Sequence, residues 1–312
     1  MFSLLARRAL LLLPIMLLSG CNLVVMNPSG DIAQQQSRLI VISTMLMLLI
    51  IVPVIICIVV FAWRYRRSNT EAIYEPEWSH STQLELMIWG APLLIIIVLG
   101  LLTWVTTHTL DPYRPLDRID ANRPIPANVQ PLIVEVVALD WKWLFIYPEQ
   151  GIASVNELVT PVDRPVRFKI TASTVMNSFF IPAMAGHIYA MPGMETQLNG
   201  IINKLGQFDG FSANYSGAGF SDMRFKLHGV SNAGFDSWVQ TIKANGGTLD
   251  RNRYTQLAQP TVREPISKYG TVAPDLYQAI LNRCVAPGTV CMNQMMMTDA
   301  GATAKHLAKG QE

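Results

Sequence analysis

Two apolar runs in the first third of the chain constrain its fold more than any other feature. The first, Leu39–Trp63, contains no charged residue, and the second extends from about Leu84 to Val105. Each is long enough to cross about 30 Å of hydrocarbon as an α-helix. Charged residues make up 15% of the 312 residues, whereas about a quarter is usual in soluble domains. The sequence therefore predicts two transmembrane helices. Its net charge of +2 gives no reason to expect nucleic acid as a partner.

The N-terminus has the pattern of an export signal. Arg7 and Arg8 precede the apolar run Ala9–Leu18, and Leu-Ser-Gly-Cys occupies residues 18–21. This order is typical of a secretory signal peptide. The position of Cys21 resembles that in bacterial lipoproteins, in which this cysteine is lipidated and becomes the new N-terminus. A plain signal with an incidental cysteine is the alternative. We expect a signal peptide at residues 1–20 and lipidation of Cys21.

Basic residues between the two runs predict the orientation of the hairpin. Arg64, Arg66 and Arg67 directly follow the first run, and such a cluster marks the cytoplasmic side of a span. The exported N-terminus agrees with this orientation. We therefore expect a multi-pass protein of the bacterial inner membrane, with the N-terminus and everything after about Thr106 in the periplasm.

An acidic residue at the cytoplasmic entry of the second span has two interpretations. Glu85 could simply extend its carboxylate into the headgroup region, as amphipathic side chains do at an interface. Acids near membrane depth also mark proton routes, so Glu85 could instead be a proton donor that faces a partner protein. Spacing alone leaves both interpretations open and favours the first.

After residue 131 the pattern becomes that of β-strands. Residues 133–147 are rich in β-branched and aromatic side chains, and residues 165–171 alternate apolar with polar side chains. Residues 194–199 and 223–228 alternate in a similar way. Short strands separated by glycine and proline turns favour a β-sandwich or a barrel.

A helical arm is predicted after the β-domain. Phe235, Trp238, Val239 and Ile242 share one helix face, and two further helices are expected at 250–258 and 275–284. The expected organisation is a signal peptide (1–20), a short periplasmic segment (21–38), transmembrane helices at 39–63 and 84–105 around a cytoplasmic loop (64–83), a linker (106–131), the β-domain (132–232), and a helical C-terminal arm with a mobile tail (233–312).

The positions of the four cysteines limit the metal chemistry of the β-domain. Cys21 belongs to the lipidation signal and Cys57 to the first span, while Cys284 and Cys291 lie in the C-terminal arm. An oxidising compartment permits a bridge between Cys284 and Cys291, and the sequence leaves open whether it forms. Because residues 132–232 contain no thiol, a blue-copper or binuclear thiolate site within the β-domain is excluded by ligand supply.

Four segments of the chain resemble, in the expected order, subunit II of the haem-copper respiratory oxidases. They are residues 79–89, 140–150, 175–182 and 212–223. The resemblance covers nearly the whole mature chain and implies that the β-domain is cupredoxin-like. The expected fold is then a membrane α-helical hairpin with an all-β cupredoxin-like periplasmic domain and a small helical C-terminal arm.

In the cytochrome c oxidase branch of this family, the periplasmic domain holds a binuclear copper centre. Its ligands are a histidine in one motif and Cys-x-Glu-x-Cys-x3-His-x2-Met in another. The resemblance places Asn177 at the first histidine, Ser212 and Ser216 at the cysteines, Asn214 at the glutamate, Phe220 at the second histidine and Met223 at the methionine. One thioether does not hold such a centre, so the resemblance implies that this chain binds no copper and no other cofactor.

Vacated copper positions are typical of the quinol oxidase branch. Cytochrome c is a soluble donor and needs a relay outside the membrane, whereas quinol is dissolved in the bilayer and can reduce haem directly. Segment 140–150 is most similar to ubiquinol oxidases of the cytochrome bo type. The resemblance implies a proton-pumping complex in which catalytic subunit I binds ubiquinol, the haems and one copper ion. Subunit I, further subunits and membrane lipid would be the partners.

The resemblance also bears on Glu85 and leaves two other functions to consider. In this family an acid at the position of Glu85 lies at the mouth of the proton-uptake path called the K-channel, which favours the proton-donor interpretation. One alternative is a menaquinol oxidase subunit, whose quinone site would also be in the catalytic subunit. The other is a free periplasmic copper-handling lipoprotein, which would retain metal when purified.

Overall fold

The computed structural model describes residues 23–73 and 75–298. The predicted signal peptide, Cys21 and the tail from residue 299 onward lie outside the described residues. The chain divides into two compact units. One is Gln35–Arg114, and the other combines the N-terminal residues up to Gln34 with those from Pro115 onward.

Two long helices carry the apolar runs. Helix α1 spans Asp31–Arg64 and helix α2 spans Thr82–Thr109, with Pro53 inside the first and Pro92 inside the second. Both are long and apolar enough to cross a membrane, with mean hydropathies of 3.3 and 2.5. The predicted spans 39–63 and 84–105 lie within them, because both helices continue into polar residues beyond the apolar runs.

The second unit is built from two packed β-sheets and a small hairpin. The strands are β1 (Arg118–Asp120), β2 (Arg123–Pro124), β3 (Leu132–Leu139), β4 (Lys142–Tyr147), β5 (Ile152–Val155), β6 (Glu157–Pro161), β7 (Val166–Ala172), β8 (Asn177–Phe180), β9 (Ile188–Ala190), β10 (Thr196–Gly200), β11 (Gly206–Ser212), β12 (Arg224–Val230), β13 (Gly247–Leu249) and β14 (Ser267–Val272). One sheet has seven strands in the order β10-β7-β3-β4-β5-β14-β13, and the other has five in the order β6-β12-β11-β8-β9.

The hairpin β1–β2 lies inside the predicted linker 106–131, so that segment is only partly irregular. Arg123 holds the hairpin, because its guanidinium donates to the carboxylates of Asp120 at 2.6 Å and Asp163 at 2.9 Å. Asp163 belongs to the sandwich, in the turn before β7. The linker is therefore fastened to the β-domain at this point.

An aromatic cluster fills the space between the two sheets. The seven-stranded sheet contributes Trp143, Phe145 and Phe168, and the five-stranded sheet contributes Phe179 and Phe225. Ring centroids within this cluster are 5.0–6.3 Å apart, and the rings of Phe179 and Phe225 are stacked. Such aromatic pairs add to the burial of apolar area that drives folding. The predicted sandwich is confirmed, and Trp143 and Phe145 of segment 140–150 lie in its core.

The C-terminal arm is helical, as expected, but it also contributes two strands. Its helices are α3 (Asn232–Asn245), α4 (Arg251–Leu257) and α5 (Leu276–Leu281). The Ser231 and Asp250 side chains cap α3 and α4 by accepting hydrogen bonds from backbone N–H groups. Strand β14 pairs antiparallel with β5, and β13 pairs parallel with β14. The arm thus extends the seven-stranded sheet.

The same arm covers the face of the seven-stranded sheet that points away from the sandwich, here called the outer face. Leu144 and Ile146 of β4 lie on this face and form one buried cluster with Leu257, Leu276 and Ile280 of the arm. Strands β4 and β5 are buried on both faces as a result. This explains why segment 142–147 is an almost continuous apolar run rather than an alternating one.

Residues 28–33, which we call the N-terminal clasp, are part of the β-domain. The Ser29 N–H donates to the carbonyl of Ala183 at 2.8 Å, and the carbonyl of Ser29 accepts from the N–H of Asn203 at 2.7 Å. The buried carboxylate of Asp31 pairs with Arg118 at 2.9 Å. The first turn of α1 therefore belongs to the same compact unit as the sandwich.

Gly30 occupies a slot that would not admit a side chain. A Cβ atom at this position would lie 2.3 Å from the carbonyl oxygen of Ile201 and 2.7 Å from that of Met184. Both distances are below van der Waals contact and involve backbone atoms. Close packing of the clasp against the β-domain thus requires glycine here.

A disulfide joins Cys284 and Cys291 near the end of the described arm. The sequence alone did not decide whether this bridge forms, because it showed only that the expected compartment would permit it. The free Cys57 lies on α1. Residues 292–298, which follow the bridge, are helical.

Candidate functional site

The six predicted copper positions lie at one end of the five-stranded sheet. Strands β8 and β11 pair antiparallel, with Ser212 opposite Phe179. This pairing brings Asn177, at the start of β8, beside Ser212, at the end of β11. Residues 213–223 then form a loop that leads into β12 and ends with a short 3-10 helix at Phe220–Asp222.

Asn177 and Ser212 contact each other through one hydrogen bond between their side chains. The Ser212 hydroxyl lies 3.2 Å from Oδ1 of Asn177 and accepts from the N–H of Ser178 at 3.4 Å. Nδ2 of Asn177 donates to the carbonyl of Val175 at 3.1 Å. Asn177 and Ser212 are buried. Their polar atoms are therefore satisfied within the protein, as buried polar atoms usually are.

The next two positions, Asn214 and Ser216, make hydrogen bonds mainly with the backbone or with Trp141. Nδ2 of Asn214 donates to the carbonyls of Met176 and Tyr215 at 3.3 and 3.2 Å. The Ser216 hydroxyl is buried and has no hydrogen-bond partner within the described part of the chain. The carbonyl of Ser216 accepts from Nε1 of Trp141 at 3.1 Å. These residues fix the loop by contacts with the neighbouring backbone.

Trp141 covers the loop. It sits in the β3–β4 turn with φ of 66°, a backbone conformation that is uncommon for a bulky residue. A Cβ atom at Gly219 would lie 2.4 Å from the indole ring, and one at Gly217, where φ is 113°, would lie 3.1 Å from it. The two glycines thus allow the indole to pack flat on the backbone. Trp141 belongs to segment 140–150, one of the four segments that carry the family resemblance, but the sequence did not indicate this contact.

Phe220 and Met223 complete the set. The ring of Phe220 packs against Tyr215, with centroids 5.6 Å apart. Met223 is fully buried, and its carbonyl accepts from the N–H of Ser212 at 3.2 Å. The structure therefore brings Asn177, Ser212, the Met223 backbone and the Asn214 carbonyl into contact, since the Ser212 hydroxyl also lies 3.2 Å from that carbonyl oxygen. The Phe220 ring packs separately against Tyr215.

The donor set at these positions does not fit a binuclear copper centre. Such centres need thiolate sulfur and imidazole nitrogen, and the residues present are two amides, two hydroxyls, a phenyl ring and one thioether. The side chains of Asn177 and Ser212 are already hydrogen-bonded to each other. Across residues 23–73 and 75–298, no three His, Cys, Asp or Glu side chains come together in a way that could hold a metal ion.

Glu85 lies in the first turn of α2, where its carboxylate pairs with His80. Oε1 of Glu85 is 2.7 Å from Nδ1 of His80, and both side chains are largely exposed. The hydroxyl of Thr82 lies 3.3 Å from Nε2 of His80. Glu85 was expected from the sequence, whereas its partner His80 was not. The signal that could have identified it is a histidine directly before an apolar helix that has an acid in its first turn.

Two segments of the chain match known protein families. Residues 133–230 match the family described as "Cytochrome C oxidase subunit II, periplasmic domain". Residues 243–288 match "COX Aromatic Rich Motif". The first match covers the sandwich strands up to β12, and the second covers most of the arm.

Longer matches are found with individual proteins. Cytochrome bo(3) ubiquinol oxidase subunit 2 of Pseudomonas putida is 52% identical over 271 residues, which are 87% of this chain and 83% of that protein. Ubiquinol oxidase subunit 2 of Acetobacter aceti is 48% identical over 266 residues, 85% of this chain and 84% of that protein. Among solved structures, the periplasmic domain of subunit II of cytochrome oxidase from Bradyrhizobium japonicum is similar, with 27% identity, a TM-score of 0.35, and coverage of 38% of this chain and 95% of that one.

Proposed function

Because this chain belongs to the subunit II family of the haem-copper quinol oxidases, we propose that it is subunit II of a proton-pumping ubiquinol oxidase and carries no redox centre of its own. Its partners are subunit I and the other subunits of the oxidase complex. Its fold is the predicted combination of two apolar helices, a cupredoxin-like domain and a small helical arm. The haems, one copper ion and the ubiquinol site belong to subunit I.

The observation that carries this proposal is the chemistry of the loop at residues 212–223 and of Asn177 beside it. Asn177 and Ser212 use their side chains to bond to each other at 3.2 Å. Copper sites of this type depend on cysteine sulfur and histidine nitrogen, which these positions do not supply. We therefore infer that the loop keeps a structural role and that electrons do not pass through it.

The proposal is consistent with where the electron donor is found. A soluble protein donor outside the membrane would need a relay in the periplasmic domain. A quinol dissolved in the bilayer needs none, because it can reach a site in the membrane-embedded catalytic subunit. Two relatives with about half of their aligned residues identical are both subunits of ubiquinol oxidases, which supports ubiquinol as the donor.

The purified complex provides the direct test. We expect haem and quinol-dependent oxygen consumption, one copper per complex, and no near-infrared band from a binuclear copper centre. Isolated full-length chain should contain copper far below stoichiometric amounts. A near-infrared copper band, or copper retained at one or more equivalents per isolated chain, would contradict the proposal and would favour a copper-handling lipoprotein.

A matched gain-of-ligand experiment tests whether the loop retains the backbone of a copper site. Met223 is kept and five substitutions are introduced: Asn177→His, Ser212→Cys, Asn214→Glu, Ser216→Cys and Phe220→His. This variant should bind copper and show thiolate-to-copper absorption. The control variant has the three substitutions other than those to cysteine, and it should not show this absorption. Absence of copper binding in a folded five-substitution variant would show that the loop has lost that geometry.

We also propose an orientation in the bacterial inner membrane with the β-domain in the periplasm. The N-terminal clasp supports it, because contacts such as that between Ser29 and Asn203 place the start of α1 on the same side as the β-domain. Arg64, Arg66 and Arg67 at the other end of α1 favour the cytoplasm for the intervening loop. Lipidation of Cys21 would add a second anchor to the periplasmic leaflet.

Glu85 is the residue we propose for the entrance of the proton-uptake route. Its position in the first turn of α2, at the cytoplasmic end in the proposed orientation, supports this role. The His80 ring, whose Nδ1 lies 2.7 Å from Oε1 of Glu85, adds a second titratable group at the same place. Ionisable residues at membrane depth often belong to proton routes.

A further inference from the structure

The last helical segment that the structure describes, residues 292–298, is here called the terminal helix. Four of its first six residues are methionine, out of 15 methionines in the whole chain, and it contains no leucine, isoleucine, valine or phenylalanine. A helix face that served only apolar packing would be expected to use these commoner residues as well. What the four side chains share is therefore a thioether sulfur, and not simply apolar character.

Three of the four methionines share one face of the terminal helix. Met292, Met295 and Met296 stand at i, i+3 and i+4, where side chains are neighbours with Cβ atoms about 5–6 Å apart. The N–H of Met295 donates to the carbonyl of Cys291 at 3.1 Å, so this spacing is already helical in the first turn. Met297 lies outside this face. Because methionine side chains have three rotatable bonds, the three sulfur atoms can approach a single point.

The terminal helix is held against the β9–β10 turn, which carries a further methionine. A Cβ atom at Gly193 would lie 3.2 Å from Sδ of Met292, so this thioether rests on the glycine backbone. The N–H of Met292 donates to the carbonyl of Asn282 at 2.9 Å, and the disulfide at Cys291 fixes the residue before it. Met194 directly follows Gly193. The contact therefore brings the chain at Met194 close to the methionine face of the helix.

The methionines are open to solvent, and the helix around them is uncharged. Met194, Met295 and Met296 are 54%, 48% and 61% exposed. Residues 284–298 contain no charged side chain. Glu195, which follows Met194, shares its charge with Lys169, whose Nζ lies 3.9 Å away. Hard divalent cations prefer carboxylate oxygen, which the helix does not supply, whereas thioether sulfur selects Cu(I).

We propose that Met292, Met295 and Met296, with Met194 as a further donor, form an exchangeable site for a soft monovalent cation, the cuprous ion. The ion enters and leaves as Cu(I), so no electron is transferred and the site is not a redox relay. A closed-shell ion gives no near-infrared band, and a cuprous chelator removes it during purification. The site is therefore independent of the proposed function, under which the purified chain retains no stoichiometric copper.

Titration of the isolated full-length chain in detergent with silver(I) nitrate tests this site. Silver(I) has the charge and the softness of Cu(I) and is stable in air. The background variant Cys57→Ala removes the free thiol of the described residues, which would itself bind silver. We expect saturable calorimetric binding of one silver ion per chain in chloride-free buffer, and displacement of silver by Cu(I) under anaerobic conditions. Magnesium(II), which prefers oxygen ligands, should not displace it.

Leucine substitutions separate the role of sulfur from apolar packing, because leucine replaces methionine at nearly constant volume. The double variant Met295→Leu with Met296→Leu should weaken silver binding at least tenfold, and Met194→Leu should weaken it several-fold. Met297→Leu is the matched control, because this exposed methionine lies on another side of the same helix. It should leave the affinity unchanged.

Circular dichroism first establishes that each variant is folded, and Met194→Leu decides if the double variant is not. Absence of saturable binding, unchanged affinity in the folded deciding variant, or an equal loss in Met297→Leu would overturn the proposal. The near-infrared test of the loop at residues 212–223 is a separate measurement, so this proposal and the proposed function fail on different results.

Discussion

Lys142 shows how a single buried charge joins the sandwich to the arm. Its side chain is 1% exposed, and Nζ donates to the carbonyl of Gln259 at 2.8 Å and to the hydroxyl of Thr261 at 2.5 Å. Burial lowers the pKa of Lys142, while the carboxylates of Glu264 and Asp140 act in the opposite direction. Buried charges are tolerated when hydrogen-bonded in this way. Lys142 therefore holds the connection between α4 and β14 against strand β4.

At the same scale, Glu85→Ala should slow turnover of the oxidase several-fold without reducing its assembly. The substitution removes the carboxylate of the proposed proton entrance and its contact with His80. Both side chains are largely exposed, so their contact contributes little to the stability of the fold. Quinol-dependent oxygen consumption, measured against haem content, would show the effect. The matched control is Glu77→Ala, which removes an exposed acid from the same loop. Near-normal turnover in Glu85→Ala would remove this residue from the proton route.

Glu135 predicts a specific pH dependence of stability. Its folded pKa of about 7 lies above the ordinary value of 4.5, because burial disfavours the charged form. The folded state therefore binds this proton more tightly than the unfolded state does. The resulting stabilisation is complete below about pH 4.5 and is lost as the pH rises through 7.

Comparison with Glu135→Gln isolates this contribution. Relative to the variant, the wild-type chain should lose a few degrees of melting temperature between pH 5 and pH 8. The two charged residues that act on this position, Lys169 and Glu195, are present in both proteins, so their own titration largely cancels in the difference. A difference in melting temperature that stays constant with pH would contradict the assignment of pKa.

At the scale of elements, strands with one exposed face were predictable and those completed by distant segments were not. Strand β7 alternates buried Phe168 and Ile170 with the more exposed Arg167 and Lys169, and the sequence identified it. Strand β14 combines Lys268, Gly270 and Thr271 with few apolar residues, and it is a strand because it pairs with β5. Periodicity reports burial on one face, whereas such long-range pairing leaves no local pattern.

The candidate site shows the same difference between features that are local in sequence and features that depend on long-range pairing. Residues 212–223 are contiguous in sequence, and most of them form the single loop between β11 and β12. The contact between Ser212 and Asn177 and the cover provided by Trp141 depend on pairing between β8 and β11 and on the β3–β4 turn. The left-handed backbone of Trp141 is unusual for a tryptophan, and no propensity argument would have indicated it.

The slot occupied by Gly30 gives a prediction for the clasp as an element. Gly30→Ala places a Cβ atom within 2.3 Å of the Ile201 carbonyl oxygen, so the clasp must move away from the β-domain. We expect a loss of about 1–3 kcal/mol of stability, as for other overpacked positions. Melting temperature and limited proteolysis near residues 28–33 would report it.

Gly247→Ala is the control for this experiment. A Cβ atom there would lie 3.8 Å from a ring carbon of Tyr269, which is ordinary contact. The control should melt within about a degree of the wild type and resist protease equally. If Gly30→Ala behaves in the same way as the control, the clasp is not tightly held.

At the scale of the whole molecule, the two compact units differ in how many large apolar side chains they expose. The unit Gln35–Arg114 exposes many large apolar side chains along both helices, whereas the other unit buries its apolar residues in two layers, one between the sheets and one under the arm. Apolar surface of this extent is stable when it faces lipid or other membrane subunits. Together with the periplasmic-type domain, it indicates a protein of the inner membrane.

Accessibility to a membrane-impermeant maleimide tests the proposed orientation. A cysteine introduced by Asn128→Cys, before the sandwich, should be labelled in intact spheroplasts. One introduced by Ser68→Cys, in the loop between the helices, should be labelled only after the membrane is permeabilised. Both residues are exposed in their own unit. Labelling of the Ser68→Cys variant in intact spheroplasts would reverse the orientation.

The clasp also has a consequence for the order of events during synthesis. Its partners, Ala183, Met184, Ile201 and Asn203, lie far later in the chain. At a ribosomal rate of about 5–20 residues per second, the intervening chain takes on the order of ten to thirty seconds to make. Enzymes that modify residues near the N-terminus thus have an interval in which this segment is not yet bound. The clasp closes afterwards, when the second half of the sandwich has arrived.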